Sequence, residues 1–423
     1  ISELCFLYVL CCTVFVVAQP YAIQHLGVEN GLSNNFVLSM AQDKRGCIWV
    51  ATEVGLNRFD GNGFTVYKQH NSEIAGDALN TLLYDEKEDV LWMGGKFGGL
   101  CAWEGKSGCF RTYQARNGMK LENIVHLAKA NDGGIWITPH HYDPIYFDSR
   151  SHRFTSLSDM GIQLDCRSNL CAFADGDLLY VGHYRGGMSI IDLKKKTTRR
   201  MLHDPSVPQS LPGHSVYSLY KDRLGHLWVG TEWGLGLLDS STGRFTVFRH
   251  VPGRISSLVA DRVYDICETA DGKLWIACDV GGISILDLSQ ITFKHPEEVC
   301  FENLLSAVTG KGLSSSNIRK VLQDSYGNIW IGSYSCGLDF ISHRPPVFQI
   351  CGDRPVYGMY RGEEGQLWVG GENELLLYKN DSLAKRFDIC CDMLCSYGWV
   401  AAIIDDGQGF LLLGLSDNGI LRT

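Results

Sequence analysis

One phrase of about eighteen residues recurs along most of this chain, and its period limits the folds that the chain can adopt. The copy at residues 222–239 reads DRLGHLWVGTEWGLGLLD: a polar turn, an apolar run around tryptophan, a short polar break and a second apolar run. An aromatic anchor recurs every 38 to 55 residues. Such a period, with short alternating strands, predicts the four-stranded blades of a β-propeller. The anchors are Trp49, Trp92, Trp136, Tyr180, Trp228, Trp275, Trp330 and Trp368, with Leu411 in a degenerate ninth copy.

The first copy shows how each blade divides into strands. VLSMAQD (37–43) is expected to form the inner strand, CIWVAT (47–52) the second, LNRFD (56–60) the third and FTVYKQ (64–69) the outer strand. Runs of about five or six residues between Gly and Asp turns have the usual length of β-strands. Because the anchor lies on the second strand, we expect it to pack between neighbouring blades and not to contact a ligand.

Nine blades exceed the usual four to eight of one ring, so the copies are expected to divide between two rings. PPVFQICGDRPVYGMY (345–360) resembles QPYAIQHLGVENGLSNNFVLSM (19–40), and both have the pattern of a propeller start. We predict an all-β fold in which residues 20–343 form a seven-bladed β-propeller, closed by an N-terminal strand at 21–26. Residues 344–423 are expected to begin a second propeller with about two blades. Two blades cannot bury a continuous core, so we expect the chain to continue in a longer protein.

The N-terminal segment differs in composition from the rest. Residues 4–18, LCFLYVLCCTVFVVA, are unbroken apolar or small and precede Gln19-Pro20. This stretch is short for a bilayer span and has the length of the apolar region of a signal peptide. We predict a signal peptide at residues 1–19, with a retained membrane anchor as the alternative. The sequence lacks an initiator Met and a basic leader segment, so its natural start is expected upstream.

Charge and cysteine content restrict the function further. The net charge of −9, without a basic run among aromatic residues, gives no electrostatic basis for nucleic-acid binding. The cysteines after the leader are irregularly spaced, and Cys47, Cys278 and Cys336 lie in or beside the repeated phrase. We expect these three to be small core residues. Local disulfides are the alternative, and the candidate pairs are Cys101 with Cys109 and Cys166 with Cys171.

The phrase D-x-x-G-x-(I/L)-W-(I/V)-G-T-x-x-G-L, with GLSNN at residues 31–35, resembles the two-component regulator propeller repeat. The resemblance covers nearly all of the chain after residue 19. It implies the periplasmic sensor region of a hybrid two-component histidine kinase from gut glycan-degrading bacteria. It further implies an oligosaccharide ligand, a homodimer, and an inner-membrane anchor and phosphorelay domains in the part of the protein that follows.

Ligand binding is expected on the face that carries the loops between the second and third strands, here called the b–c loops. In a propeller these loops emerge beside the connections between blades, and the D-x-x-G turns lie on the opposite face. The b–c loops gather aromatic rings, which stack on a sugar, beside polar groups that bind hydroxyls, carboxylates or sulfates. Lys96, Arg185 and His183 favour an acidic sugar. The candidate residues are Lys96, Phe97, His140, His141, Tyr142, His183, Tyr184, Arg185, Glu232, Trp233, Asp279 and Tyr334.

Two other classes of function stay open from the sequence. A glycosidase needs two carboxylates about 5–9.5 Å apart, and the b–c loops offer Glu53, Glu232 and Asp279 without a pairing signal. A lyase of the streptogramin type would combine His183 and Glu232 with a metal. A passive interaction scaffold, as many repeat proteins are, needs no such groups. We predict that this chain itself is not an enzyme and has no catalytic residue.

A metal site is the alternative for one group of histidines. His140, His141, Asp143 and His183 come from adjacent b–c loops, but nothing in their spacing fixes a coordination geometry. Loop polar residues are the simpler interpretation. We therefore predict no metal and no cofactor.

Overall fold

A computed structural model describes residues 21–115, 119–290, 298–306, 312–343, 355–362, 365–379, 382–389, 398–416 and 419–423. The signal peptide predicted at residues 1–19 lies outside these ranges. Within them the ordered elements are β-strands and two one-turn 3-10 helices, Val28–Asn30 and Leu288–Gln290, which confirms the all-β prediction. No helix in these ranges has the length and apolar character of a membrane span. The chain divides into two compact units, Ile1–Pro345 and Pro346–Thr423.

The first unit contains seven four-stranded antiparallel sheets, called blades one to seven. The strands of each blade are given in order from the inner strand to the outer strand. Blade one has β2 (Val37–Gln42), β3 (Ile48–Thr52), β4 (Gly55–Phe59) and β5 (Phe64–Tyr67). Blade two has β6 (Leu79–Asp85), β7 (Val90–Gly95), β8 (Leu100–Glu104) and β9 (Cys109–Tyr113), and blade three has β10 (Ile124–Lys129), β11 (Ile135–Pro139), β12 (Ile145–Asp148) and β13 (Arg153–Ser156).

The remaining blades follow the same order. Blade four has β14 (Asn169–Asp175), β15 (Leu178–His183), β16 (Met188–Asp192) and β17 (Thr197–Met201). Blade five has β18 (Val216–Lys221), β19 (Leu227–Thr231), β20 (Gly234–Asp239) and β21 (Arg244–Phe248). Blade six has β22 (Val263–Glu268), β23 (Lys273–Cys278), β24 (Gly282–Asp287) and β25 (Glu302–Leu304), and blade seven has β26 (Ile318–Gln323), β27 (Ile329–Ser333), β28 (Leu338–Ile341) and β1 (Ile23–Leu26).

The ring closes through β1, which joins blade seven although it begins the described chain. It pairs antiparallel with β28, from Ile23 opposite Ile341 to Leu26 opposite Leu338. Each inner strand contacts the inner strand of the next blade, and β26 of blade seven contacts β2 of blade one. This closed cycle of sheets is the predicted β-propeller, and closure by the N-terminal strand is confirmed.

The core consists of seven apolar clusters, one between each pair of neighbouring blades. Each repeat anchor of this unit lies in the cluster that its blade shares with the next one. Trp49, for example, is fully buried and packs with Trp103 of blade two at a ring-centroid distance of 4.7 Å. Loss of such a buried aromatic side chain typically costs about 3–5 kcal/mol.

A buried aspartate organises the turn between the inner and second strands. In blade five, Asp222 Oδ1 accepts the backbone N–H groups of Leu224 (3.0 Å) and His226 (2.8 Å). Its Oδ2 accepts the indole N–H of Trp228 at 2.9 Å. Gly225 follows three residues after the aspartate with φ +90°, a left-handed conformation that glycine adopts without strain. The D-x-x-G-x-x-W spacing therefore ties one carboxylate to both the turn and the inter-blade core.

Two other blades use the same device. Asp43 accepts the indole N–H of Trp49 at 2.9 Å, and Asp324 accepts that of Trp330 at 3.0 Å. In blade six, Thr269 occupies the corresponding position, and its hydroxyl donates to the carboxylate of Asp271 at 2.6 Å. The backbone bonds of the turn are retained, from Thr269 N to Lys273 O (2.8 Å) and from Gly272 N to Thr269 O (2.9 Å). The turn geometry is thus kept where the aspartate is replaced.

The cysteines of the described ranges are free thiols. Cys278 is fully buried, Cys47 is 8% exposed and Cys336 is half-buried. The structure thus places Cys47 and Cys278 in the core and Cys336 closer to the surface. The pairs Cys101 with Cys109 and Cys166 with Cys171 are not joined.

The described residues of the second unit form two sheets. The first has four strands, β29 (Gly358–Arg361), β30 (Gln366–Gly370), β31 (Glu374–Lys379) and β32 (Ser382–Asp388). The second has three, β33 (Val400–Asp405), β34 (Leu411–Leu415) and β35 (Gly419–Arg422). Their inner strands β29 and β33 contact each other, and Leu375, Val400, Ile403 and Leu413 form a buried cluster. Trp368 packs against this cluster from a half-buried position.

We expect Asp222→Asn to lower the free energy of unfolding by about 1–3 kcal/mol, measured by urea denaturation. The amide keeps the size of the side chain, but it would turn a donor toward either the indole N–H or the backbone N–H groups. Asp239→Asn is the matched control, because Asp239 lies in an exposed turn and bonds to the hydroxyls of Ser241 and Thr242. A hydroxyl group that donates to the carboxylate can instead accept a hydrogen bond from the amide, so a far smaller loss of unfolding free energy is expected. Equal losses of unfolding free energy in both variants would contradict the role of Asp222 in holding the turn and Trp228.

Candidate ligand-binding face

The b–c loops and the segments that enter the inner strands lie on one face, here called the loop face. Backbone hydrogen bonds join the b–c loop of a blade to the entry segment of the next blade. These bonds tie neighbouring blades together at this end of the ring. They run from Asn123 N to Lys96 O (3.0 Å), Asn169 N to His140 O (2.9 Å), Gly187 N to His214 O (2.7 Å), Gly234 N to Asp261 O (2.7 Å), Gly281 N to Ser316 O (3.0 Å) and Gly337 N to Asn35 O (2.9 Å).

A buried hydroxyl shapes the b–c loop in the T-x-x-G copies of the repeat. In blade five, the hydroxyl of Thr231 donates to the carbonyl of Gly234 at 2.8 Å and accepts the backbone N–H of Trp233 at 3.1 Å. Thr231 is fully buried, whereas the indole of Trp233 is 43% exposed. The rings of His203 and His214 lie edge-on to this indole at 5.2 and 5.1 Å. The loop thus holds a large ring at the surface in a fixed position.

Exposed aromatic rings are the main feature that the structure shares with the sequence prediction. Five blades each present one large ring from the b–c loop. Their positions on one face suit stacking against a flat apolar surface such as that of a sugar ring. The rings are Phe97 (73% exposed), Tyr142 (36%), Tyr184 (44%), Trp233 (43%) and Tyr334 (43%).

The b–c loop of blade three is fixed by a buried amide. Asn169, which is fully buried, donates to the backbone carbonyls of Pro139 and Tyr142, both at 2.8 Å. Nδ1 of His140 lies 2.7 Å from the carbonyl oxygen of Asn169, and its ring packs edge-on against His141 at 4.2 Å. His141 is exposed and His140 is half-buried. Only His141 and Tyr142 of this loop therefore present open side chains.

The charged candidates differ in whether a partner neutralises them. Lys96 Nζ lies 3.1 Å from Glu53 Oε1, and Asp279 lies 2.8 Å from Arg262. The guanidinium of Arg185 lies over the ring of Tyr184 at 5.3 Å. Two of the candidate residues, Lys96 and Asp279, thus already form ion pairs with other residues of the chain.

Glu232 has a structural role in the loop face. Its Oε1 accepts the backbone N–H of His214 at 2.9 Å, and its Oε2 accepts that of Ser215 at 2.6 Å. Both oxygens hold the segment that enters β18. This carboxylate therefore positions the segment, and both of its oxygens already accept hydrogen bonds from the backbone.

His183 was expected in an exposed loop, and this expectation is wrong. It is the last residue of β15, it is fully buried, and its Nε2 lies 2.8 Å from the hydroxyl of Ser189. Burial, with a smaller contribution from Arg200, lowers the pKa of His183 to about 4. The imidazole is therefore neutral near pH 7 and out of reach of a ligand. His183 therefore no longer counts among the three residues whose positive charge favoured an acidic sugar.

The same contacts engage three of the four residues considered as metal ligands. His183 faces Ser189, His140 faces a backbone carbonyl, and Asp143 pairs with Arg167 at 3.1 Å. Among the residues described by the structure, no three His, Cys, Asp or Glu side chains converge on a possible metal position.

The loop face contains residues that sequence reasoning missed. Tyr217, Tyr264 and Arg319 lie on the inner strands of blades five, six and seven. Arg319 contacts Tyr264 and the b–c loop residue Tyr334, and Tyr264 contacts Tyr217. Each is the second residue of its inner strand. That shared position in the repeat is the sequence signal that identifies them.

A repeat model described as "Two component regulator propeller" matches residues 31–54, 210–233, 257–279 and 312–335. These segments belong to blades one, five, six and seven. Histidine kinase P4 of Formosa agariphila is 46% identical over 41 residues, which are 10% of this chain and 3% of that protein.

Solved structures extend the similarity to nearly the whole chain. The extracellular domain of a hybrid two-component system from B. thetaiotaomicron is 31% identical, with a TM-score of 0.66, over 96% of this chain and 53% of that one. A second such domain from that organism is 18% identical, with a TM-score of 0.60, over 95% and 52%. The chain thus spans about half the length of these domains. Virginiamycin B lyase of Staphylococcus aureus is 14% identical, with a TM-score of 0.56, over 76% of this chain and 99% of the lyase, and shares the fold alone.

We expect His183→Gln to reduce the acid sensitivity of the ring. The unfolded chain protonates this imidazole near pH 6.5, and the folded chain does so near pH 4. The free energy of unfolding therefore falls as pH drops through this window, by about 3 kcal/mol for this group. Urea denaturation at pH 7, 5.5 and 4.5 should show a shallower decline in the variant. His141→Gln, at an exposed histidine in the b–c loop of blade three, should keep the decline of the parent chain. An unchanged slope in His183→Gln would contradict the buried, neutral state assigned to His183.

Proposed function

Since the chain carries two-component regulator propeller repeats, we propose that it is the ligand-sensing region of an exported hybrid two-component sensor. Support comes from the extracellular domain that is 31% identical over 96% of this chain. In this proposal the ring lies in the periplasm after removal of a signal peptide. The inner-membrane anchor and the phosphorelay domains belong to the longer protein.

The proposed ligand is an oligosaccharide released from a complex glycan, bound on the loop face. One observation carries this proposal: five blades each present an exposed aromatic ring there. Sugar-binding surfaces combine such rings with hydrogen-bonding groups, and His141, Arg185 and the phenols of Tyr142 and Tyr334 supply them here. Trp233 offers the largest ring and is the expected centre of stacking.

Sensing would follow from a difference in affinity between two arrangements of a homodimer. Backbone hydrogen bonds and shared clusters link neighbouring blades, so the ring is expected to move as one body. A ligand that binds one arrangement more tightly shifts the population toward it. The chain would thus convert sugar binding into a movement that the rest of the protein transmits.

Catalysis is the less favoured function, because the candidate groups are already engaged. Glu53 and Asp279 form ion pairs, and Glu232 holds two backbone N–H groups. His183, which a lyase would need, is buried against Ser189. A passive scaffold would leave the exposed rings without a ligand.

We expect a panel of neutral and acidic oligosaccharides to include at least one that stabilises the chain without being cleaved. A ligand at a hundred times its Kd adds about 2.7 kcal/mol to the free energy of unfolding, which a thermal-shift assay detects. Trp233→Ala should weaken binding by roughly tenfold or more, because an exposed stacking ring is lost. Chromatography of the incubated sugar reports turnover.

Tyr326→Ala is the matched control, since Tyr326 is 67% exposed in the D-x-x-G turn of blade seven on the opposite face. Its sugar affinity should equal that of the parent chain. Cleavage of the sugar would favour an enzyme, and a well-folded ring that responds to no member of the panel would favour a scaffold. Equal losses in both variants would remove the loop face as the binding surface.

A further inference from the structure

All seven inner strands of the ring have a β-bulge one residue after their start. The bulged residue is half-buried in each strand, whereas the residue before it is buried. Inner strands surround the ring axis, and a bulge re-aims its side chain. These residues therefore line the opening of the axis at the loop face, here called the axial mouth. They are Leu38, Asn80, Val125, Leu170, Tyr217, Tyr264 and Arg319.

One side of the axial mouth is a continuous arc of rings around a cation. The guanidinium carbon of Arg319 lies 3.7 Å from the ring centroid of Tyr264 and 4.8 Å from that of Tyr334. The ring of Tyr217 extends the arc beyond Tyr264, at a centroid distance of 4.8 Å. Phe36 extends it beyond Tyr334, at 4.3 Å. The arc thus spans blades five, six, seven and one.

Arg319 has no anionic partner within the described part of the chain. No carboxylate there lies within ion-pair distance of the guanidinium, and no oxygen accepts a hydrogen bond from it. Its Nε is buried and has no hydrogen-bond partner. The nearby acid Asp265 is already engaged, because it pairs with Lys320 at 2.7 Å and accepts the backbone N–H of Val321 at 3.0 Å.

Three other cations near the loop face differ from Arg319, because an acid pairs with each of them. Lys96 pairs with Glu53, and Arg262 pairs with Asp279. Arg167 pairs with Asp143 beside a cleft of about 1200 Å³ at the outer edge of blades two and three. The arginine beside this cleft is therefore neutralised. A guanidinium in contact with two rings and without an anionic partner in the described residues is the stronger site for an anion.

We propose that Arg319 binds the anionic group of an acidic sugar, a carboxylate or a sulfate ester, at the axial mouth. The guanidinium contacts the rings of Tyr264 and Tyr334, and its N–H groups would donate two parallel hydrogen bonds to the anion. Tyr217 and Phe36 offer rings on either side for the sugar units that flank the charge. This inference rests on the proposed sensor function for the sugar, but the anion site itself can be tested without it.

The first measurement is NMR of the chain labelled with ¹⁵N-arginine, titrated with acetate and with methyl sulfate. The Nε–H resonance of Arg319, assigned by its loss in Arg319→Lys, should shift along a saturating curve for at least one anion. Arg244, exposed on the outer strand β21, is the internal control and should drift without saturation. The two titrations distinguish a carboxylate site from a sulfate site. Absence of saturation at Arg319 for both anions would overturn the proposal.

The second measurement uses matched sugars that differ only in charge. Tetragalacturonate is compared with its methyl ester, and a sulfated galactan tetrasaccharide with its desulfated form, by calorimetry. For the acidic sugar that binds, Arg319→Gln should weaken affinity by about 10–100-fold, which is the effect of losing a charge-assisted hydrogen bond. Arg244→Gln removes the same charge elsewhere and should leave affinity unchanged.

The outcomes separate this inference from the proposed function. Saturation at Arg319 together with Arg319-dependent binding of an acidic sugar supports both. Saturation by small anions with no sugar bound supports the anion site and contradicts the sugar sensor. Sugar binding that is equal in the parent chain and Arg319→Gln overturns the inference and leaves the sensor proposal in place. Circular dichroism of Arg319→Gln and Arg319→Lys shows whether both keep the ring.

Discussion

The ring depends on four residue pairings between its first and last strands. Ile23 to Leu26 complete the seventh sheet against β28, and Tyr21 packs on Trp275 of blade six at a ring-centroid distance of 5.7 Å. Without this strand the seventh blade would expose an unpaired edge. Closure also brings the inner strands round a common axis. The axial mouth and the ordered loop face exist because the two ends of the ring are joined.

The two faces of the ring are held in place by different buried groups. In the D-x-x-G turns a buried carboxylate accepts hydrogen bonds from the turn and from the tryptophan that packs between blades. Examples are Asp43, Asp222 and Asp324. The opposite loops are held by different means, such as Thr231 in blade five and Asn169 in blade three. Because these supports are buried beneath the loops, the side chains above them can differ from blade to blade.

The fold was predictable from the sequence because each blade repeats its packing signal. The spacing of Trp49, Trp228 and their equivalents fixes the second strand, and the Pro-led segment before β1 indicates closure. The site was predicted less well, since a loop position does not determine burial. His183 ends the second strand of blade four and turns inwards to Ser189 of the same blade. Arg319 lies on an inner strand, outside the loops in which the site was predicted, and contacts Tyr264 of blade six. Sequence position alone does not specify either contact.

The bulge repeated in all seven inner strands affects which amino-acid substitutions the ring can accept. A bulged residue makes no ladder pair, so its side chain is uncoupled from the register that holds the sheet together. The seven positions accordingly hold residues as different as Leu38, Asn80, Tyr217 and Arg319 in one structure. A single codon change there alters the chemistry of the mouth at little cost to folding. The side chains of the axial mouth can therefore differ from blade to blade while the architecture of the ring stays the same.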